Sequence, residues 1–312
     1  MVPTPGEAAI ETRQLSKRFG SLVAVDRLDL KVDKGMIFGF LGPNGAGKTT
    51  TIKMLIGLSR PSGGEVRLSG KHADAETVDV RRDIGYLPER VAFYDNLTPL
   101  QTLHFFCDLK GADRSVALPL LEEVGLKEAA DRKVGTFSKG MTQLLGVAQA
   151  MIGQPSLYIL DEPTSGLDPR WSKMVRDRIK ALNEAGATVL FSSHILGEVQ
   201  SLCHRVAIID RGRLMAEDTV ERLNVNLKIK PRLELAIPGL DGRVPQAVRM
   251  VEGVEDASAK GNLLTVTCEG PVRAHVVAAV EAAGLDIQDI KTVEPSLEEA
   301  FMKLVSGEKG AR

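Results

Sequence analysis

Two apolar rhythms alternate over the first two thirds of the chain. Residues 36–41, Ile84–Leu87, Leu157–Leu160, 188–192 and 206–210 are short apolar runs. Segment 36–41 is continuous in the way expected of a strand buried on both faces of a parallel sheet. Strands are also predicted at 28–32 and 65–68, the second after the turn marked by Pro61 and the Gly63-Gly64 pair. Helical segments are expected at about 48–58, 170–185 and 197–203. Strands alternating with helices imply an α/β sheet covered on both faces.

From about residue 95 to 151 the pattern is helical throughout. Thr98-Pro99-Leu100-Gln101 combines an N-cap, a proline at the first helical position and a glutamine placed to complete a capping box. Gly111 and Gly125 are natural helix stops. This stretch, about 90–153, reads as a helical subdomain inserted into the sheet domain. Beyond Leu223 the order becomes a strand at 232–237, a helix at 244–251 and two strands about the Lys260-Gly261-Asn262 turn. A helix at 271–283 and a strand at 285–293 complete it. That βαββαβ order predicts a small ferredoxin-like α+β module. A last helix begins at Pro295-Ser296 with Glu298 and Glu299 in its first turn, where carboxylates suit the dipole. The expected division is 8–223 and 224–312.

Composition narrows the partners. A length of 312 residues favours one large domain plus a smaller one. The formal net charge of −1 gives no bulk attraction for nucleic acid or anionic lipid. Cys107, Cys203 and Cys268 form no CxxC pair and have no metal-ligand spacing, which predicts neither disulfides nor zinc and fits a reducing compartment. The first residues lack the basic-then-apolar layout of a secretory signal. No apolar run approaches the roughly 18–20 residues that span a bilayer, so any membrane role is expected to be peripheral.

Gly42-Pro43-Asn44-Gly45-Ala46-Gly47-Lys48-Thr49 fits the phosphate-loop pattern G-x-x-x-x-G-K-[ST], with a strand before it and a helix after it. Glycines let backbone N–H groups close around phosphate oxygens, and the helix N-terminus adds favourable partial charge. Lys48 is expected to reach the β- and γ-phosphates, Thr49 to ligate Mg²⁺, and Thr50 to extend the cradle. Leu157–Leu160 then runs into Asp161 and Glu162. A carboxylate ending a strand beside the phosphate-loop strand suits Mg²⁺, and the next suits polarising an attacking water, which makes Glu162 the candidate base.

These residues, over about 10–223, resemble the ABC ATPases. Asp161-Glu162-Pro163-Thr164 and Ser165-Gly166-Leu167-Asp168 resemble that family's Walker B motif and D-loop. Ser192-Ser193-His194 resembles its switch region, which implies that His194 contacts the γ-phosphate. Phe19 stands where the family stacks an aromatic ring on adenine. The family signature, usually LSGGQ, here reads Phe137-Ser138-Lys139-Gly140-Met141. The resemblance implies that Ser138, Gly140 and Asp168 serve ATP held by a second copy of the chain. Glu89 replaces the glutamine of the family's Q-loop and is expected to face Mg²⁺ or water. The variants Tyr86-Leu87-Pro88-Glu89 and SKGM are similar to the ABC-2 exporter branch. The stretch 89–153 is somewhat similar to the ATPase of the nitrous-oxide-reductase maturation transporter, whose phosphate loop often carries His in place of Pro43.

The resemblance implies an ATP-hydrolysing transporter subunit on the cytoplasmic membrane face, working with a multi-span permease and a second copy of itself. The alternative is a soluble ABC ATPase acting on ribosomes or DNA. The single cassette and the lack of zinc spacing, long heptads or a basic stripe weigh against it. A P-loop GTPase is disfavoured because no NKxD guanine-reading motif is present.

Overall fold

The computed structural model describes residues 6–73, 81–227 and 229–307. Its contacts divide the chain into two compact units, Met1–Thr219 and Val220–Arg312. The first unit holds two sheets. Strands β1 (Ala8–Phe19), β2 (Leu22–Asp33), β4 (Gly63–Leu68) and β5 (Lys71–His72) form an antiparallel sheet in the order β2-β1-β4-β5.

The second sheet contains β3 (Ile37–Leu41), β6 (Ile84–Leu87), β7 (Leu157–Leu160), β8 (Thr188–Ser193), β9 (Arg205–Asp210) and β10 (Arg213–Asp218). It runs β10-β9-β3-β8-β7-β6 and is parallel except at β10. Every residue of β3, β7 and β8 is buried, as their continuous apolar runs require. Helix α1 (Lys48–Leu55) buries Ile52 and Leu55 in a core shared with Ile10 and Leu28 of one sheet and Phe38, Phe40 and Ile209 of the other.

The order carries one correction. The carboxylate-ending strand β7 is not the neighbour of β3, because β8 lies between them. Any link from the phosphate loop to Asp161 and Glu162 therefore passes beside β8.

Helix α2 (Pro99–Lys110) carries the expected capping box, with Thr98 and Gln101 bonded reciprocally, and ends on Gly111 in the left-handed region. After it come α3 (Ala117–Glu123) and α4 (Lys139–Met151), the latter capped by the Ser138 hydroxyl. Helices α5 (Pro169–Glu184) and α6 (Leu196–Leu202) flank β8 in sequence. Among the described residues no helix is long and apolar enough to cross a membrane.

The second unit opens with α7 (Val220–Asn226), so the boundary expected at 223 falls inside a helix. The physical reason is a tie to the C-terminal segment: Asn224 Nδ2 donates to the Pro295 carbonyl at 3.1 Å. Strands β11 (Arg232–Ala236), β12 (Val254–Lys260), β13 (Leu263–Cys268) and β14 (Asp289–Val293) are antiparallel in the order β12-β13-β11-β14, the ferredoxin-like arrangement. Helices α8 (Gln246–Arg249) and α9 (Arg273–Ala282) bring Val248, Val276 and Val280 into one core with Leu233, Leu235, Leu264 and Val266. The helix expected over 244–251 is a single turn. The last helix, α10 (Leu297–Gly307), starts where Ser296 Oγ accepts from the Glu299 N–H at 3.2 Å.

Candidate functional site

Loop 42–47 enters α1 through Gly47, whose φ of 107° lies in the left-handed region that favours glycine. No side chain caps α1, so its first N–H groups and the positive end of its dipole are left to what lies in front of it. What lies there is a cavity of about 710 Å³ lined by Pro43, Asn44, Gly45, Gly47, Lys48, Thr49 and Thr50. The rest of the wall comes from distant segments: Phe19, Leu22, Val23 and Ala24 of the β1–β2 hairpin, with Glu89, Glu162, Ser165, His194 and Arg211. The other two loop residues look inward. Gly42 gives its carbonyl to Lys48, and buried Ala46 gives its carbonyl to the Gly212 N–H at 2.8 Å.

Lys48 is buried. Its Nζ donates to the Gly42 carbonyl at 2.6 Å and stands 3.1 Å from Glu162 Oε1. The other Glu162 oxygen, Oε2, is 2.8 Å from His194 Nδ1. Both ends of this carboxylate are thus held, by a cation and by an imidazole. Glu162 has φ 48°, a left-handed conformation that a non-glycine residue adopts at a cost. The backbone is kept there by β8: the Glu162 N–H donates to Ser192 Oγ at 2.9 Å, and the Ser192 hydroxyl donates to Asp161 Oδ1 at 2.6 Å. The strand that separates β3 from β7 therefore clamps both carboxylate residues.

Asp161 is fully buried. Burial pushes its carboxyl above the ordinary carboxylate range. Hydrogen bonds from Ser192 and Thr49 oppose the rise, and the charges of Glu89 and Glu162 add to it. Its Oδ2 is buried with no hydrogen-bond partner. The same burial, with the Asp161 charge, drives the Tyr86 phenol up to about 12.

Beyond the carboxylates, the turn 162–168 is braced by Thr164. Its hydroxyl meets Glu198 Oε2 at 2.5 Å, and Glu198 in turn pairs with Arg176 at 2.8 Å. At the opposite wall Phe19 is half exposed, with Lys17 Nζ 5.0 Å above its ring.

Besides Gly42, Ala46 and the buried Asp161, three residues of the expected site lie outside this cavity lining: Ser138, Gly140 and Asp168. Ser138 caps α4, and Asp168 caps α5 by accepting from the Arg170 and Trp171 N–H groups at 3.0 Å. Gly140 is buried against Trp171. Conversely, Leu22, Val23, Ala24 and Arg211 line the cavity with no sequence signal pointing to them, and Ser165, named in the D-loop-like segment, carries no predicted role there. Ser165 follows directly on the Walker B-like residues and was within reach of the sequence. Arg211 sits in a left-handed turn (φ 46°) between β9 and β10, a placement that no local pattern marks.

The pattern that describes ABC transporters matches residues 25–165. The chain is 36% identical to the bacitracin transport ATP-binding protein of Bacillus licheniformis, over 96% of this chain and 97% of that one. It is likewise 36% identical to a daunorubicin resistance ATP-binding protein of Streptomyces coeruleorubidus, over 95% and 94%. Identity to the linearmycin resistance ATP-binding protein of Bacillus subtilis is 32%, over 95% and 97%. Among solved structures, an ATP-binding subunit of an ABC transporter aligns with TM-score 0.65 and 31% identity, covering 71% of this chain and 94% of that one. A dimeric ATP-binding cassette in a post-hydrolysis state with ADP and Pi aligns with TM-score 0.62 and 25% identity, covering 67% and 98%.

Proposed function

We propose, from the premise that the chain belongs to the ABC transporter family as an ATP-hydrolysing subunit, that it powers export through a separate membrane-spanning permease on the cytoplasmic face. Its working form is a dimer holding two MgATP. The observation that carries the reading is the Glu162 carboxylate, held between Lys48 and His194 at the wall of a cavity that opens on the N-terminus of α1. Export is supported by relatives named for bacitracin transport and for daunorubicin and linearmycin resistance. Nothing about the net charge of −1 supports a nucleic-acid partner.

Loop N–H groups and Lys48 bind the phosphates, so ATP and Glu162 compete for the same ammonium. Glu162, freed in this way and oriented by His194, accepts the proton of a water attacking the γ-phosphorus. The bond from phosphorus to the bridging oxygen breaks, and ADP leaves. Phe19 stacks on the base.

Mg²⁺ fits the residues present. The buried, unpartnered Asp161 Oδ2 and the Thr49 hydroxyl that bonds this carboxylate are hard oxygen donors, and Glu89 lines the same cavity with its charge felt at Asp161. Held by these oxygens, the ion would neutralise charge on the phosphate groups. The second unit, Val220–Arg312, is proposed to be a dimer-stabilising or regulatory add-on to the ATPase unit.

Ser138 and Gly140 lie apart from this chain's own cavity, which supports the reading that they close on nucleotide held by a second copy. The test of the transporter reading is affinity isolation of the tagged chain from membranes. We expect a multi-span protein without its own ATPase, in a ratio of one permease complex to two copies of the chain. Recovery with ribosomes or DNA instead would sink it.

Asp161 yields a second expectation. Because burial raises its pKa, its ionised form is the costly one. Asp161→Asn keeps an acceptor for Ser192 and removes the charge. Thermal unfolding without nucleotide should show a stabilisation of about 1 kcal/mol at neutral pH. The gain is full above the raised pKa and vanishes as pH falls into the ordinary carboxylate range. ATPase activity should drop by at least about 100-fold in the same protein. A destabilised variant would contradict the electrostatic account.

A further inference from the structure

The signature segment departs from the family pattern at Lys139, which stands where that pattern has glycine. Lys139 is the first residue of α4, where the helix dipole disfavours a cation. Its ammonium is nevertheless held in place on the exposed surface. Lys139 Nζ donates to the Ser165 carbonyl at 2.7 Å, and the Ser165 N–H donates to the Glu162 carbonyl at 3.1 Å. A short path of hydrogen bonds thus runs from the backbone of the candidate base to the first turn of the signature helix.

The neighbouring residues leave room for this tie and repeat it. Gly166, in the left-handed region at φ 67°, lies directly beneath the lysine: a Cβ there would meet Lys139 Nζ. One turn further along α4, Gln143 Nε2 donates to the Pro163 carbonyl at 2.9 Å in the buried interior. Gly140 packs so closely on Trp171 that a Cβ would overlap the indole ring. The start of α4 is therefore fastened to the 162–171 segment at three points. Two are buried, the Gln143 hydrogen bond and the Gly140–Trp171 packing contact. The Lys139 tie is the exposed one, at the open end.

We infer that Lys139 is a positioning residue that couples the two ATP sites of the dimer. It joins the signature loop, which closes on one nucleotide, to the D-loop and base that act on the other. The inference rests on the dimer reading above. A displacement of turn 162–168 when ATP engages Glu162 and Ser165 is carried to Ser138 and Gly140 through the Ser165 carbonyl. The bistable element is the signature loop, open or closed on the partner's nucleotide, and both sites bias it.

The test is steady-state hydrolysis against ATP concentration, with thermal unfolding alongside. Lys139→Met keeps the aliphatic stem and removes the donor. We expect the Hill coefficient to fall from above about 1.5 toward 1 and kcat to fall about fivefold, the scale of a typical coupling energy. KM should stay within about twofold and the unfolding temperature unchanged. Lys139→Arg, which can still reach a carbonyl, should restore the Hill coefficient.

Gly166→Ala is the independent variant, since its methyl group displaces the ammonium. Its effect should match that of Lys139→Met, and the double variant should be no worse than either. Wild-type cooperativity and kcat in Lys139→Met, or effects that multiply in the double variant, overturn the inference. Failure of the dimer reading is seen separately. If Glu162→Gln forms no ATP-bound dimer, both readings fall, whereas an intact dimer with unaltered Lys139→Met kinetics removes this one alone.

Discussion

Glu162→Gln should lower the steady-state ATPase rate by about 10³-fold, within the range attributed to general-base catalysis, while leaving ATP binding intact. The substitution is isosteric. It keeps an oxygen or amide for the His194 Nδ1 contact and holds the same left-handed turn through Ser192. What it removes is the negative charge that accepts the proton of the attacking water and that pairs with Lys48. Losing that pairing frees the ammonium for phosphate, so affinity for ATP should rise. A protein that binds ATP well and cannot hydrolyse it should accumulate in the closed state favoured by ATP. Size-exclusion chromatography with light scattering should show a dimer with MgATP and a monomer without it. A variant that stays monomeric with ATP, or turns over at the wild-type rate, would remove Glu162 from its assigned role.

The elements of the site differ in how visible they are along the chain. The phosphate loop and the Asp161-Glu162 pair are contiguous, and their residue types follow from phosphate and metal chemistry, so local reading suffices. The same holds for the Thr98–Gln101 capping box and for the βαββαβ rhythm after Leu223. Strand β1 has no legible strand pattern, for a physical reason. Its pairing with β2 shifts register at four places and passes through Gln14 at φ 49°, which breaks the alternation that would mark a strand. With β1 unread, Leu22 and Val23 could not be placed at the nucleotide cavity, although Phe19 was reached through the family resemblance. The insertion of β8 between β3 and β7 is a fact of tertiary order with no local signature, and it makes Ser192 the clamp on both carboxylates. Arg211 and the Lys139–Ser165 tie are likewise products of folding, joining residues that no periodicity relates.

Lys48→Ala should give the largest combined loss, and the structure separates its two causes. Lys48 and Glu162 are both buried and stand 3.1 Å apart, with the ammonium also satisfying the Gly42 carbonyl. Removing the lysine leaves a buried carboxylate whose one remaining side-chain partner among the described residues is His194, and breaking such a pair typically costs about 3 kcal/mol or more. The variant should therefore unfold several degrees lower even without nucleotide. It should also bind ATP at least about 10-fold more weakly and hydrolyse it at least about 10³-fold more slowly, because the phosphates lose their principal cation. Adding Glu162→Gln to Lys48→Ala distinguishes the two effects. The double variant should recover most of the thermal stability, since the buried charge is gone, yet remain unable to hold ATP. If the double variant stayed as unstable as Lys48→Ala alone, the ion pair would not be the source of the destabilisation. If it bound ATP normally, Lys48 would not be the phosphate ligand. Recovery of fold without recovery of binding is the outcome that joins the geometry of the pair to the chemistry of the loop.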